Sequence, residues 1–138
     1  MSKGHTGMLL YVVRLMPWTI LGLLFMSACI QAPQSSPRHV VQGGDAERGR
    51  QSIQDYGCIS CHSVPGVSGA DALVGPPLDA WARRRYIAGQ FPNTPEYLIQ
   101  WIMAPQVMIP GSAMPDTGVT EQDARNIAAY LYTLIRGR

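Results

Sequence analysis

Cys58-Ile59-Ser60-Cys61-His62 decides how this chain folds. The pattern C-x-x-C-H is the attachment site of a c-type haem. Each thiol can add across one haem vinyl group. Two thiols three positions apart reach both vinyls of one porphyrin only if the chain between them turns tightly. The residue after the second thiol then lies under the iron, where an imidazole can be the proximal ligand. A bare C-x-x-C also occurs in redox disulfides and in zinc sites. Zinc would need two further ligands, and the only other cysteine, Cys29, lies in an apolar N-terminal segment; His5 shares that segment and His39 lies in a Pro/Ser-rich stretch. The adjacent His62 selects haem, held covalently through Cys58 and Cys61.

The 138 residues allow one ordinary domain. Lys3, His5 and Arg14 precede an apolar run from Leu15 to Ala28, and no acid appears before Asp45. This is the layout of an export signal over residues 1–28. The run ends Met26-Ser27-Ala28-Cys29, which resembles the lipobox of bacterial lipoproteins, with Met26 where leucine is usual. Cys29 is then the lipid-bearing mature N-terminus, and the three cysteines divide into one for lipid and two for haem. An uncleaved membrane helix and an ordinary cleaved signal are the alternatives; Arg14 and Pro17 argue against the helix. All three place the domain outside the cytoplasm. The lipoprotein reading places it on a membrane, on its periplasmic or extracytoplasmic face.

Setting aside Lys3 and Arg14, the formal charge of +2 falls to balance, nine arginines against nine acids. Nucleic-acid binding therefore has no electrostatic basis. A local basic patch remains at Arg83-Arg84-Arg85. Residues 30–44 are rich in Gln, Pro, Ser and Gly and read as a flexible tether of about 20 Å as a coil. Residues 29–44 thus form lipidated N-terminus and linker, and residues 45–138 the haem domain.

Asp45 is a good cap for a helix over residues 46–56, which Gly57 ends. Gly49 within it suggests a close crossing with another helix. Residues 63–77 form a Gly/Pro-rich loop. A ligating imidazole needs an acceptor for its other nitrogen, and the stiff Gly75-Pro76-Pro77-Leu78 can present one; the carbonyl of Pro76 is assigned to His62, and Leu78 to the porphyrin face. Residues 79–87 read as weakly helical, with Trp81, the three arginines and Tyr86, a candidate pocket residue. An arginine here could pair with a haem propionate, or the run is a solvated face. Thr94-Pro95-Glu96 opens a helix to about Met103, whose Trp101 packs on the haem edge or in the ordinary core. Residues 105–118 read as loop. Thr120-Glu121-Gln122-Asp123 is a capping-box variant before a final helix over residues 124–135, with Ile127, Tyr130, Leu131, Leu134 and Ile135 on one face. Tyr130 is expected to meet the gap at Gly49.

A low-spin electron carrier needs a second axial ligand, and a thioether there raises the potential. Met103, Met108 and Met114 are the candidates. Met103 sits in a helix, whereas Met114 lies late in a stiff loop between Pro110-Gly111 and Pro115.

The chain from Gly44 to Leu134 resembles the class I bacterial monohaem cytochromes c. The resemblance rests on Gly44-Asp45 with Gly49, Cys58 to His62, Gly75-Pro76-Pro77-Leu78, Pro110-Gly111-Ser112-Ala113-Met114-Pro115, and Ala129-Tyr130-Leu131. It implies a small all-α domain of three to five helices around one covalent haem c, with crossed N- and C-terminal helices and Met114 as distal ligand. Ile53 stands where the family often has an aromatic, with Cys58 five residues later rather than four, and Tyr56 is the candidate replacement. Tyr86-Ile87-Ala88-Gly89 and Asn93-Thr94-Pro95-Glu96 resemble a subgroup associated with haem–copper oxidases.

The implied function is one-electron transfer in a bacterial respiratory chain, without a small-molecule substrate. The implied partners are a quinol-oxidising complex and a terminal oxidase, with the protein free or a fixed subunit of a larger complex. The competing expectation is a haem enzyme or a gas or peroxide sensor with a labile Met114. No histidine follows His62, and only Asp116 lies near Met114 in sequence, so a distal acid–base pair is not evident.

Overall fold

Asp45 starts the first helix, and it also ties that helix to the last one. In the computed structural model, which describes residues 39–137, its carboxylate accepts the N–H groups of Glu47 at 2.9 Å and Arg48 at 3.1 Å. These are two of the donors that a helix start leaves without partners. Helix α1 follows over Ala46–Asp55. The N–H of Asp45 donates to Oδ1 of the buried Asn126 at 3.0 Å, in helix α4, Glu121–Thr133. A Cβ added at Gly49 would lie 1.9 Å from the carbonyl oxygen of Asn126, and one at Gly44 would lie 2.6 Å from that of Arg125. The two helices therefore cross with backbone against backbone.

Tyr130 was expected at this crossing, and the structure corrects that: the backbone of Asn126 and Ile127 stands opposite Gly49. Tyr130 lies four residues on, about 6 Å further along the helix. There its hydroxyl donates to the carbonyl of Pro65 at 2.6 Å and lies over Gly66.

Helix α2, Pro95–Met103, has Pro95 in its first turn and buries Leu98, Ile99 and Ile102. The Thr94 side chain makes no capping bond. Its hydroxyl instead helps the Glu96 backbone N–H hold the Glu96 carboxyl below the usual range, the N–H being the larger cause. Pro105 stops α2 and opens a short helix α3, Pro105–Met108, where the sequence reading had only loop. Proline lacks the N–H that α2 would need, yet its φ suits a first helical position.

Helix α4 begins as expected: Thr120 Oγ1 accepts the N–H of Asp123 and donates its own proton to Asp123 Oδ2 at 2.7 Å. It ends at Thr133, whose hydroxyl donates to the carbonyl of Tyr130. Leu134 and Ile135 fall outside it, and Ile135 is 58% exposed rather than on the buried face. The chain instead turns to run beside Trp81, with the N–H groups of Ala80 and Ala82 donating to the carbonyls of Arg136 and Leu134.

Residues 79–87 are not a weak helix. A single 3-10 turn, Trp81–Arg83, leads into strand β1, Tyr86–Ile87, which pairs antiparallel with β2, Phe91–Pro92, in the register Tyr86–Pro92 and Ile87–Phe91. Ala88 and Gly89, both at positive φ, make the tight connection. The expected tether also ends early. His39 stacks on Tyr132 at 4.5 Å and Val41 is buried. The carbonyls of Gln42 and Gly43 accept from Arg125 and Gln122.

The core collects Ile53, Val64, Ile87, Leu98, Ile102, Ile127 and others between the helices and loops. Among the described residues no helix is long and apolar enough to cross a membrane. Cys29, the predicted signal and most of the linker lie outside the described residues.

Candidate haem site

Gly57 leaves α1 at a φ of +71° and delivers the chain into a 3-10 turn, Cys58–Ser60. The carbonyl of Cys58 accepts the N–H groups of Cys61 at 3.2 Å and His62 at 3.0 Å. This is the tight turn that the motif demanded. Both thiols are free and half-buried. Burial pushes the Cys58 thiol above its ordinary range, with the neighbouring Cys61 adding to the effect.

The loop after the motif closes back on it. The N–H of Gly75 donates to the carbonyl of Cys61 at 2.7 Å, and that of Leu78 to the carbonyl of Ser63 at 2.8 Å. Nδ1 of His62 then lies 2.8 Å from the carbonyl oxygen of Pro76. A carbonyl only accepts, so Nδ1 carries the proton and Nε2 is the nitrogen free to bind a metal. A Cβ at Gly75 would stand 2.5 Å from Cε1 and 2.7 Å from Nδ1 of His62. Only glycine lets the loop backbone lie against the ring this closely.

A cavity of about 490 Å³ opens beside this turn. Cys58, Cys61, His62 and Met114 all line it, and Met114 is the one methionine among its described lining residues. Met103 lines a separate groove with Pro95 and Ile99. Met108 closes α3 and does not reach the cavity. Leu78, Trp101 and Tyr86 also line it; Leu78 and Trp101 are half-buried and Tyr86 is 60% exposed.

Of the three arginines, Arg84 alone lines the cavity. It sits over the Trp81 ring at 5.0 Å, 3.7 Å from the Asp79 carboxylate, and donates to the carbonyls of Pro77 and Asp79. Arg83 and Arg85 are exposed. Trp81 is buried in the cavity wall, and its Nε1 has no partner among the described residues. Asn93 braces this wall: its amide donates to the carbonyls of Trp81 and Arg84 and accepts from the Tyr132 hydroxyl. Burial, with the Glu96 charge second, raises the Tyr132 hydroxyl far above its ordinary range and keeps it a donor.

Sequence reasoning offered the arginine run as a propionate partner without choosing Arg84, gave Trp81 and Asn93 no role of their own, and did not touch Gln106. Asn93 carried a weak signal, since it stands directly before the Thr94-Pro95 helix start. The Arg run gave no way to tell its members apart.

These donors suit a haem. Two thiols stand on one tight turn beside an imidazole whose second nitrogen is already held, and a thioether arrives from a different loop. Apolar walls and one rim cation complete the set. The volume is that of an ordinary cofactor pocket.

Comparison with known proteins agrees. The family model described as Cytochrome c matches residues 46–134. The chain is also 37% identical over 90 residues to cytochrome c oxidase subunit 2 of Alkalihalophilus pseudofirmus, across 64% of this chain and 25% of that protein. The chain thus spans about a quarter of the length of the relative it matches. The family's cofactor is a covalently bound haem c and its chemistry is haem-based electron transfer. A match over the whole stretch that builds the cavity, on a mostly helical fold, makes this chain a member of the cytochrome c family.

Proposed function

We propose that Cys58 and Cys61 hold the haem through thioethers, that His62 and Met114 are its axial ligands, and that the protein is a one-electron carrier delivering electrons to a terminal oxidase. One observation carries the reading: the cavity collects both thiols, the imidazole and a single methionine from separate segments. The bound haem supplies one-electron exchange between Fe(II) and Fe(III). The Pro76 carbonyl fixes the His62 ring and makes Nε2 more basic. Met114 offers a neutral thioether, which favours ferrous iron and raises the potential. Ile53, Leu98, Ile102 and Leu131 keep water from the buried side of the cavity. Arg84, an arginine of the cavity lining, could pair with a haem propionate. Trp101, Leu78 and Tyr86 fill the remaining wall. If His62 and Met114 both held the iron, the protein would offer no open iron position to a substrate.

The partner assignment is supported by the similarity to an oxidase subunit; the quinol-oxidising donor rests on family resemblance. In this reading the domain works outside the cytoplasm, tethered to a membrane through lipid on Cys29. Mass spectrometry of the N-terminal peptide tests the lipid, and loss of membrane retention in Cys29→Ser tests its role. The same similarity favours a second reading, a fixed oxidase subunit. Detergent-solubilised protein that co-purifies with an oxidase supports this reading, and a monodisperse monomer supports the free carrier.

The deciding experiment is an optical spectrum of the haem-loaded protein, oxidised and reduced, with and without carbon monoxide. A weak far-red ferric band and a ferrous spectrum indifferent to carbon monoxide are expected. Ready carbon monoxide binding, together with peroxidase turnover in the unmodified protein, would replace the carrier with a haem enzyme or sensor.

A further inference from the structure

Gln106 stands in α3, outside the cavity lining, yet it organises the loop that carries Met114. Pro105 is fully buried and pins the start of α3, so Gln106 projects from a fixed turn. Its amide nitrogen donates to the carbonyl of Ser112 at 2.7 Å and to that of Met114 at 2.6 Å. Its amide oxygen accepts the N–H of Gly111 at 3.2 Å. One side chain thus grips three of the four residues from Gly111 to Met114. Gly111 has a φ of +81°, and no α-helix or strand holds this stretch. The N–H of Met114 adds only a local bond to Ser112 Oγ at 3.2 Å.

A neutral thioether is a weak ligand, and its occupancy of a metal depends on how well its loop is held in place beforehand. We propose that Gln106 is a positioning residue for the Met114 sulfur, keeping the loop in its ligating shape through two donated hydrogen bonds and one accepted one. This rests on Met114 as axial ligand.

Gln106→Glu and Gln106→Leu discriminate. Glutamate keeps the length and can still accept from Gly111, but when ionised it donates nothing and faces two carbonyl oxygens. The titratable group in contact with Gln106 is Asp116, whose Oδ1 lies 3.4 Å from the Gln106 N–H. Asp116 is present in every variant, so the wild-type pH profile is its control.

The test uses the haem-loaded protein, reading the ferric far-red band and ferrous carbon monoxide binding against pH. Each lost hydrogen bond is expected to shift the attached-to-detached ratio about fivefold, and both donors about 25-fold. Gln106→Glu should lose the band and bind carbon monoxide at neutral pH. It should recover the band on acidification, when the introduced carboxyl regains a donor. Gln106→Leu should stay detached at every pH, with its far-ultraviolet dichroism unchanged. A wild-type band and carbon monoxide indifference in both variants overturn the proposal. If Gln106→Leu does not fold, the Gln106→Glu profile decides alone: recovery in acid supports the proposal, and a flat profile overturns it. A wild-type protein lacking the band, or Met114→Leu retaining it, overturns the ligand assignment itself and the proposal with it.

Discussion

Replacing Gly49 by alanine should weaken the fold even though alanine is the better helix former. Helix propensity alone favours the change by about 1 kcal/mol. The new Cβ, however, would stand 1.9 Å from the Asn126 carbonyl oxygen, 2.4 Å from its carbon and 2.9 Å from the Ile127 nitrogen. Ordinary contact begins at 3.4 Å, so α1 and α4 must separate by about 1.5 Å there. The obstructing atoms are helix backbone, and no side-chain rotation relieves them. Overpacking of this kind costs about 1–3 kcal/mol, with backbone clashes at the upper end. The net expectation is a loss of about 1–2 kcal/mol after the propensity gain. For a domain of about 100 residues this lowers Tm by roughly 5–15 °C. The separation would also strain the Asp45 to Asn126 hydrogen bond, since both ends sit at the crossing. Thermal unfolding of the haem-loaded variant, followed by far-ultraviolet dichroism at matched haem content, measures the change. Gln51→Ala, on the exposed side of the same helix, is the control and should stay within about 0.5 kcal/mol. A Gly49→Ala protein as stable as wild type would refute the backbone-on-backbone crossing.

Gly75→Ala places a Cβ 2.5 Å from the His62 ring, so the ring must swing and lengthen its bond to Pro76. The expected result is a shifted reduction potential with the haem retained, read by redox titration; an unchanged potential would mean that Gly75 is not what seats the imidazole. The third prediction concerns acid. The Thr120 hydroxyl, and next the Tyr56 hydroxyl at 2.8 Å, hold the Asp123 carboxyl below its usual range. A depressed carboxyl contributes stability that is present above its unfolded value of about 3.9 and is lost as pH falls through its lower folded value. Tyr56→Phe should therefore be less stable than wild type at neutral pH, with the gap in urea midpoints shrinking as pH falls below about 4; a gap constant down to strong acid would show that the hydroxyl acts by some other route.

The legible parts of this chain are local. Haem attachment needs two thiols and an imidazole within five consecutive residues, and the Asp45 and Thr120 caps involve atoms two or three residues away. The Pro76 carbonyl was found by asking what His62 would need, and the stiff loop supplied the answer. The two-residue strands were not legible, because they are too short to show alternation, and residues around them passed for a weak helix. Tyr130 was placed one turn wrong because periodicity shows which face a residue occupies but not how far along the crossing lies. The end of the tether was lost for a similar reason: Val41 and the carbonyls beside it look like linker until α4 offers Gln122 and Arg125 as donors.

By itself the sequence determined the attachment motif, the starts of the three longer helices and the residue types able to hold an iron, because each depends on neighbours along the chain. Only the tertiary structure decided that Arg84 and not Arg83 or Arg85 lines the cavity, that Asn93 braces the cavity wall and Gln106 the Met114 loop, and that Asn126 ties the crossing of α1 and α4. Those choices are made by distances between segments far apart in sequence. A polar side chain acquires its role only when folding brings an unsatisfied backbone group within about 3 Å of it.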